Sequence, residues 1–185
     1  MEEIMEIIDI TIKLDENTPI YAGDPRFVKE VWRTVQEDSY MLSKLRMGSH
    51  TGTHVDAPCH FINGAKSVCN MPLRKFVGPC KVYDSFADYD GKAVRVLFKG
   101  RTKLTPEMAA ELVKNRVELV GTEAASIGDD ETHKILLGTE CVALEWLNLA
   151  KAEAGEYFLC AQPLKIDADG SPVRACLVKD IETGE

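Results

Sequence analysis

SHTGTHVDAPCHF, residues 49 to 61, holds three of the chain's four histidines together with an aspartate. Its threonines and the apolar stretch before it favour an extended backbone over 50–56, and Gly52 and Pro58 disfavour a helix. Side chains of a strand alternate with a period of two, so His50, Gly52, His54 and Asp56 are predicted to point to one face. Gly52 adds no side chain between the histidines and leaves space for a cation, while Thr51, Thr53 and Val55 pack on the reverse side. Two imidazoles and a carboxylate around an open space are the ligand set of a catalytic metal, which keeps a position for water. Zinc is the first choice of metal, with manganese or iron as alternatives. His60 follows after Pro58 has turned the chain, placed to take or give a proton.

A lone histidine is ordinarily a surface or satisfied core residue. Three of them with an aspartate at alternating spacing reverse that reading. The remaining histidine, His133, lies in GDDETHKILLGTECVALEWLNL (128–149), with Asp129, Asp130, Glu131, Glu140 and Glu145 as carboxylate neighbours. Composition does not choose among these five. Spacing favours Glu145, which ends an apolar strand where an unpaired carboxylate is costly to bury, over Glu140 in the turn GTE.

The chain has 185 residues, 45% hydrophobic and 28% charged, which fits one soluble domain over 1–185 with a core that needs no disulfides. A formal charge of −8 without a basic, aromatic-laced stripe argues against nucleic acid as a partner. No apolar run reaches membrane-spanning length. The acidic start MEEIMEIIDI lacks the features of a secretory signal, which implies a cytoplasmic protein. Its six cysteines are scattered with no CxxC pair, and reduced, mostly buried thiols are expected.

Apolar and β-branched alternation predicts strands near 7–14, 29–35, 41–50, 78–86, 93–98, 117–123, 141–145, 156–164 and 175–180. One helix is well signalled by Thr105 as cap, Pro106 at the first helical position, and a shared face of Met108, Ala109, Leu112 and Val113. A second is expected over 144–154, ended by Gly155. The fold class is therefore mixed α/β, a central sheet or flattened barrel flanked by a few helices.

HTGTHVDAPCHF (50–61) resembles the H-x-G-T-H-x-D-x-P-x-H-F signature of the cyclase-like metal-dependent hydrolases, which include the bacterial kynurenine formamidases (arylformamidases). TPIYAGDP (18–25), ELVGTEAASI (118–127), His133 with KILL, Glu145 with its following L-x-x-L, and PLKIDADGSPVRA (163–175) are similar to further segments of that family. The resemblance implies a swivelling β/β/α fold. It also implies a first divalent metal on His50, His54 and Asp56, with Asp56 bridging to a second on His133 and Glu145, so that one or two metals are expected per subunit. His60 becomes the catalytic histidine. Tyr21, Asp24, Ser171 and Arg174, from the flanking segments, become candidates for the pocket of a small-molecule substrate. A homodimer or homotetramer is implied as well, its N-terminal segment shaping a neighbour's pocket.

The activity implied is hydrolysis of an amide, such as the formamide of N-formylkynurenine, or of a related cyclic amide, by metal-activated water. Three departures bear on the substrate: only RTK separates VLFKG (96–100) from LTPEM (104–108), the connection from Ile127 to His133 is short, and Glu123 stands where many relatives have aspartate. An isatin-hydrolase-like or lyase activity, and a metal-binding protein without catalysis, are the competing readings. Ser-His-Asp chemistry is disfavoured, because the chain has no G-x-S-x-G elbow.

Overall fold

The computed structural model describes residues 4–181, so the first three residues of the acidic start and the last four of the chain lie outside it. Eleven strands are present: β1 (Ile4–Asp9), β2 (Val28–Arg33), β3 (Leu42–Arg46), β4 (His54–Asp56), β5 (Val77–Tyr83), β6 (Arg95–Phe98), β7 (Leu119–Thr122), β8 (Val142–Glu145), β9 (Gly155–Cys160), β10 (Gly170–Pro172) and β11 (Cys176–Ile181). Three α-helices accompany them among the described residues: α1 (Val35–Asp38), α2 (Pro106–Lys114) and α3 (Asp130–Gly138).

Nine strands form one mixed sheet in the order β1-β11-β9-β5-β6-β7-β8-β4-β10, curled as a half-barrel. Its centre, β5-β6-β7-β8, is parallel, and both flanks are antiparallel. Parallel strands covered on both faces read as unbroken apolar runs, and every residue of β6, β7 and β8 is buried. Leu97, Leu119, Val142 and Leu144 face the inner core with Ile8, Ile10 and Leu177. Val96, Phe98, Val120 and Ala143 face the other way, against Ala109 and Leu112 of α2 and Leu136 of α3. Helix α2 starts as the sequence predicts, with the Thr105 hydroxyl accepting from the Met108 N–H and Pro106 in the first turn.

Two elements differ from expectation. The helix predicted over 144–154 does not form: β8 ends at Glu145, Trp146 takes a φ of +56°, and Leu147 bridges Thr11. Leu147, Leu149 and Ala152 all enter the inner core, which a single helical face in this position would not reach. The second long helix is α3 instead, capped by the Asp129 carboxylate on the Thr132 N–H at 2.9 Å. Strands β2 and β3 form a separate two-stranded ribbon rather than joining the sheet. The six cysteines are free, but only Cys80 and Cys141 are buried; the others are half-exposed.

Candidate metal centre and active site

The extended reading of residues 50–56 holds only for β4, His54–Asp56. Gly52 has a φ of +70°, and a Cβ there would lie 2.4 Å from Leu14 Cδ2, so this glycine serves a left-handed turn packed against Leu14 rather than opening space for a cation. The turn, not strand alternation, returns His50 to the face of His54 and Asp56. Thr53 is on the reverse side as expected, its hydroxyl accepting from the Ile12 N–H and donating to the Trp146 carbonyl.

Strand pairing brings in the second half of the site. β4 runs antiparallel to β8 with His54 opposite Glu145, and α3, which precedes β8, carries His133 over the same point. His54, Asp56, His133 and Glu145 are all buried, and His50 is half-buried. Two overlapping groups, His50–His54–Asp56 and Asp56–His133–Glu145, each hold their ligating atoms within 4.8 Å of one another, and Asp56 is common to both.

The hydrogen bonds test whether a cation fits. His54 Nδ1–H donates to the Gly52 carbonyl at 2.7 Å, and His133 Nδ1–H donates to the Asp129 carbonyl at 2.8 Å. His50 Nε2–H donates to Asp169 Oδ2 at 2.9 Å. Each ring therefore spends one N–H on a partner outside the centre and turns its other nitrogen inward. Those inward nitrogens meet carboxylates: His50 Nδ1 lies 2.8 Å from Asp56 Oδ1, His54 Nε2 lies 3.3 Å from Asp56 Oδ1 and 3.5 Å from Glu145 Oε2, and His133 Nε2 lies 3.2 Å from Glu145 Oε1. Neutral imidazoles would set lone pairs against buried carboxylates, an arrangement that needs protons or a cation between them. Without a cation, burial opposes the charge on His54, but the bonds and charges of Asp56 and Glu145 prevail and push it up to about 10. Burial likewise opposes the charge on Asp56, yet His50 and His54 hold it far below the usual carboxylate range. Three imidazoles and two carboxylates, with tautomers fixed from behind, fit a borderline divalent metal.

Glu145 is further fixed by the Ile127 N–H, which donates to Oε1 at 2.7 Å. The other carboxylates near His133 have separate tasks. Asp129 caps α3, and Glu140, at a φ of +60°, pairs with Lys66 at 2.6 Å. Glu123 accepts from the Gly100 and Leu149 N–H groups, so it ties two loops together.

The centre forms the floor of a cavity of about 700 Å³. Tyr21, Asp24 and His60 line it together with Phe61, Lys103, Leu104, Thr105, Ser126, Asp130 and Trp146. The short 100–104 connection thus forms part of the wall. His60 lies beside the candidate ligands, its ring centroid 4.0 Å from that of His50, and Phe61 stacks on His133 at 4.5 Å.

Two expected pocket residues are elsewhere. Ser171 pairs with Val55 in the β10/β4 register, which directs it to the face opposite His54 and Asp56; it is fully buried and accepts from the Leu164 N–H. Arg174 is exposed and bonds to Asp9 at 2.7 Å, which the β1/β11 register sets opposite Cys176, two residues on. Asp169 went unread in the same segment, although it immediately precedes the glycine that β10 pairs with Asp56.

The Cyclase model, described as putative cyclase, matches residues 8–96. The kynurenine formamidase of Salinibacter ruber is 36% identical over 94% of this chain and 97% of its own length. That of Geobacillus thermodenitrificans is 33% identical over 93% of this chain and 97% of its own length. A solved structure described as a potential metal-dependent hydrolase with cyclase activity superposes with a TM-score of 0.83 at 28% identity, covering 97% of this chain and all of the other. With its candidate ligands assembled on one turn, one strand pair and one helix, and similarity that runs nearly end to end, the chain belongs to the cyclase family of metal-dependent hydrolases that includes the bacterial kynurenine formamidases.

Proposed function

We propose that this chain is an amide hydrolase acting on a C–N bond other than a peptide bond, with an aryl formamide of the N-formylkynurenine type as its substrate and the amine and formate as products. The observation that carries this reading is the set of three imidazoles whose inward nitrogens converge on Asp56 and Glu145, with His60 beside them at the cavity wall. His50, His54, Asp56, His133 and Glu145 would hold one or two divalent ions, zinc first and manganese or iron next. An ion held there supplies Lewis acidity, making hydroxide available near pH ~7 and polarising a carbonyl oxygen.

The chain's own groups do the rest. His60 donates Nδ1–H to Asp169 Oδ2 at 3.1 Å, which leaves Nε2 to exchange a proton with the substrate. Nε2 would take a proton from the attacking water; as the C–N bond breaks, the oxygen of that water remains on the formyl carbon and the amine nitrogen takes the proton back from His60. Phe61, Trp146 and Tyr21 offer apolar surface to an aromatic substituent, and the 103–106 wall limits its size. The test is turnover by metal-loaded protein on a panel of aryl formamides, alkyl formamides and cyclic amides such as isatin. An aryl formamide should lead; full metal occupancy with no turnover on any member would defeat the reading.

The same reading includes a homo-oligomer in the cytoplasm. Support for the oligomer comes from the β2–β3 ribbon, where Val31, Trp32, Leu42 and Leu45, with Val35, Tyr40 and Met41 at its tip, are each between 46% and 62% exposed. A two-stranded ribbon is marginal in water on its own, and apolar surface gathered on one is an association surface. Because Tyr21 and Asp24 lead into this ribbon from the cavity wall, a second copy seated on it would lie close to the active site.

A further inference from the structure

Asp169 belongs to none of the histidine-bearing segments, yet its carboxylate touches both halves of the chemistry. Oδ2 accepts from His50 Nε2–H at 2.9 Å and from His60 Nδ1–H at 3.1 Å, and Oδ1 accepts from the Ser49 hydroxyl at 2.8 Å. The main chain holds it in place: the Asp169 carbonyl accepts from the Ala57 N–H at 2.8 Å, and the next residue, Gly170, pairs with Asp56. A Cβ on Gly170 would lie 2.6 Å from His50 Cε1, so only glycine lets this strand come close enough for its aspartate to reach behind the ring.

The other two imidazoles of the centre rest on backbone carbonyls, of Gly52 and Asp129. Among the described residues, His50 is the only one of the three whose outer nitrogen bonds to a side chain. A carboxylate behind an imidazole fixes its tautomer and ring direction and raises the basicity of the opposite nitrogen. Here one oxygen does this for two rings, and its two short bonds account for their 4.0 Å separation.

We propose that Asp169 is a positioning residue for the hydrolysis: its single Oδ2 orients His50 toward Asp56 and His60 toward the substrate, coupling metal retention to proton transfer. This rests on the hydrolase reading above, and the test separates the two. Asp169→Ala and Asp169→Asn are prepared in the full chain. Zinc affinity of the metal-stripped proteins is measured by competition with a chromophoric chelator, and kcat and KM are measured at saturating zinc. Asp169→Ala should lose about 10–100-fold in zinc affinity and a similar factor in kcat, with KM within about twofold. Asp169→Asn keeps an acceptor oxygen and should recover part of both.

Zinc affinity and kcat both within about twofold of wild type in Asp169→Ala would overturn the proposal, as would a loss of affinity with kcat at saturation unchanged. Should the alanine variant fail to fold, Asp169→Asn decides: measurable loss in both quantities supports the coupling, and wild-type values refute it. A wild type that binds zinc but cleaves no amide defeats the hydrolase reading, and the coupling to catalysis falls with it, while the affinity measurements still decide whether Asp169 supports His50.

Discussion

His54 and Glu145 stand opposite each other in the β4/β8 register, with imidazole Nε2 3.5 Å from carboxylate Oε2. Strand pairing alone therefore brings the glycine-spaced histidine motif onto a carboxylate 91 residues further along the chain. Glu145→Gln keeps an acceptor for the Ile127 N–H but removes the charge. Its affinity for zinc should fall by more than the ~10–100-fold typical of groups that only support a ligand, as read by chelator competition. Metal at 100 times its Kd adds about 2.7 kcal/mol to stability, so the wild type should gain roughly 5–11 °C in Tm under conditions where the variant gains little.

His60 lines the cavity but bonds to none of the carboxylates of the metal centre. His60→Asn should lower kcat by about 10²–10⁴-fold, the usual range for a lost acid or base, with zinc content unchanged by elemental analysis. Loss of metal along with activity would move His60 into the ligand set.

Gly52 combines a φ of +70° with contact to Leu14. Gly52→Ala should cost about 1–3 kcal/mol from the left-handed backbone alone, more once Leu14 is displaced. The measurements are thermal unfolding and zinc affinity, and both should fall, because the same turn aims His50.

Asp90 lines a different cavity from that of the candidate metal centre and accepts from Lys81 Nζ and the Tyr83 hydroxyl, each at 2.7 Å. The Lys81 bond first, then that of Tyr83, holds its carboxyl well below the ordinary value of 3.8. A depressed carboxylate contributes stability above its unfolded value that is lost as pH falls toward its folded one. Wild type should thus lose stability more steeply than Asp90→Asn as pH drops below about 4; parallel Tm–pH curves would contradict this.

The exposed ribbon predicts a solution mass of two chains or more by light scattering. Trp32→Glu with Leu42→Glu, on the ribbon face that also carries Lys44, should shift the protein to one chain, since charge at the centre of an apolar contact is disfavoured. A monomeric wild type would remove the ribbon's proposed role.

His54 and Asp56 were legible because they lie two apart on one strand, where alternation is a local rule. Glu145 was partly legible from the cost of a carboxylate at the end of an apolar run. His133 rested on resemblance, because the helix that carries it is short and the stretch around it mixes helix and strand residues. The helix expected over 144–154 failed because Leu147 and Leu149, two residues apart, both enter the inner core with Ala152, which one helical face does not allow.

By itself, the sequence determined the chemistry available: which residue types cluster, that a metal suits them, and that β-branched runs around α2 make a mixed α/β fold. Only the tertiary structure decided which side chains share the centre. Sheet register assigns faces, and a shift of one residue reverses them. That is why Ser171, paired with Val55, is buried behind the site; Asp169 precedes β10, outside the alternation, and is placed by the Ala57 N–H on its carbonyl, just as a turn at Gly52 rather than an unbroken strand delivers His50.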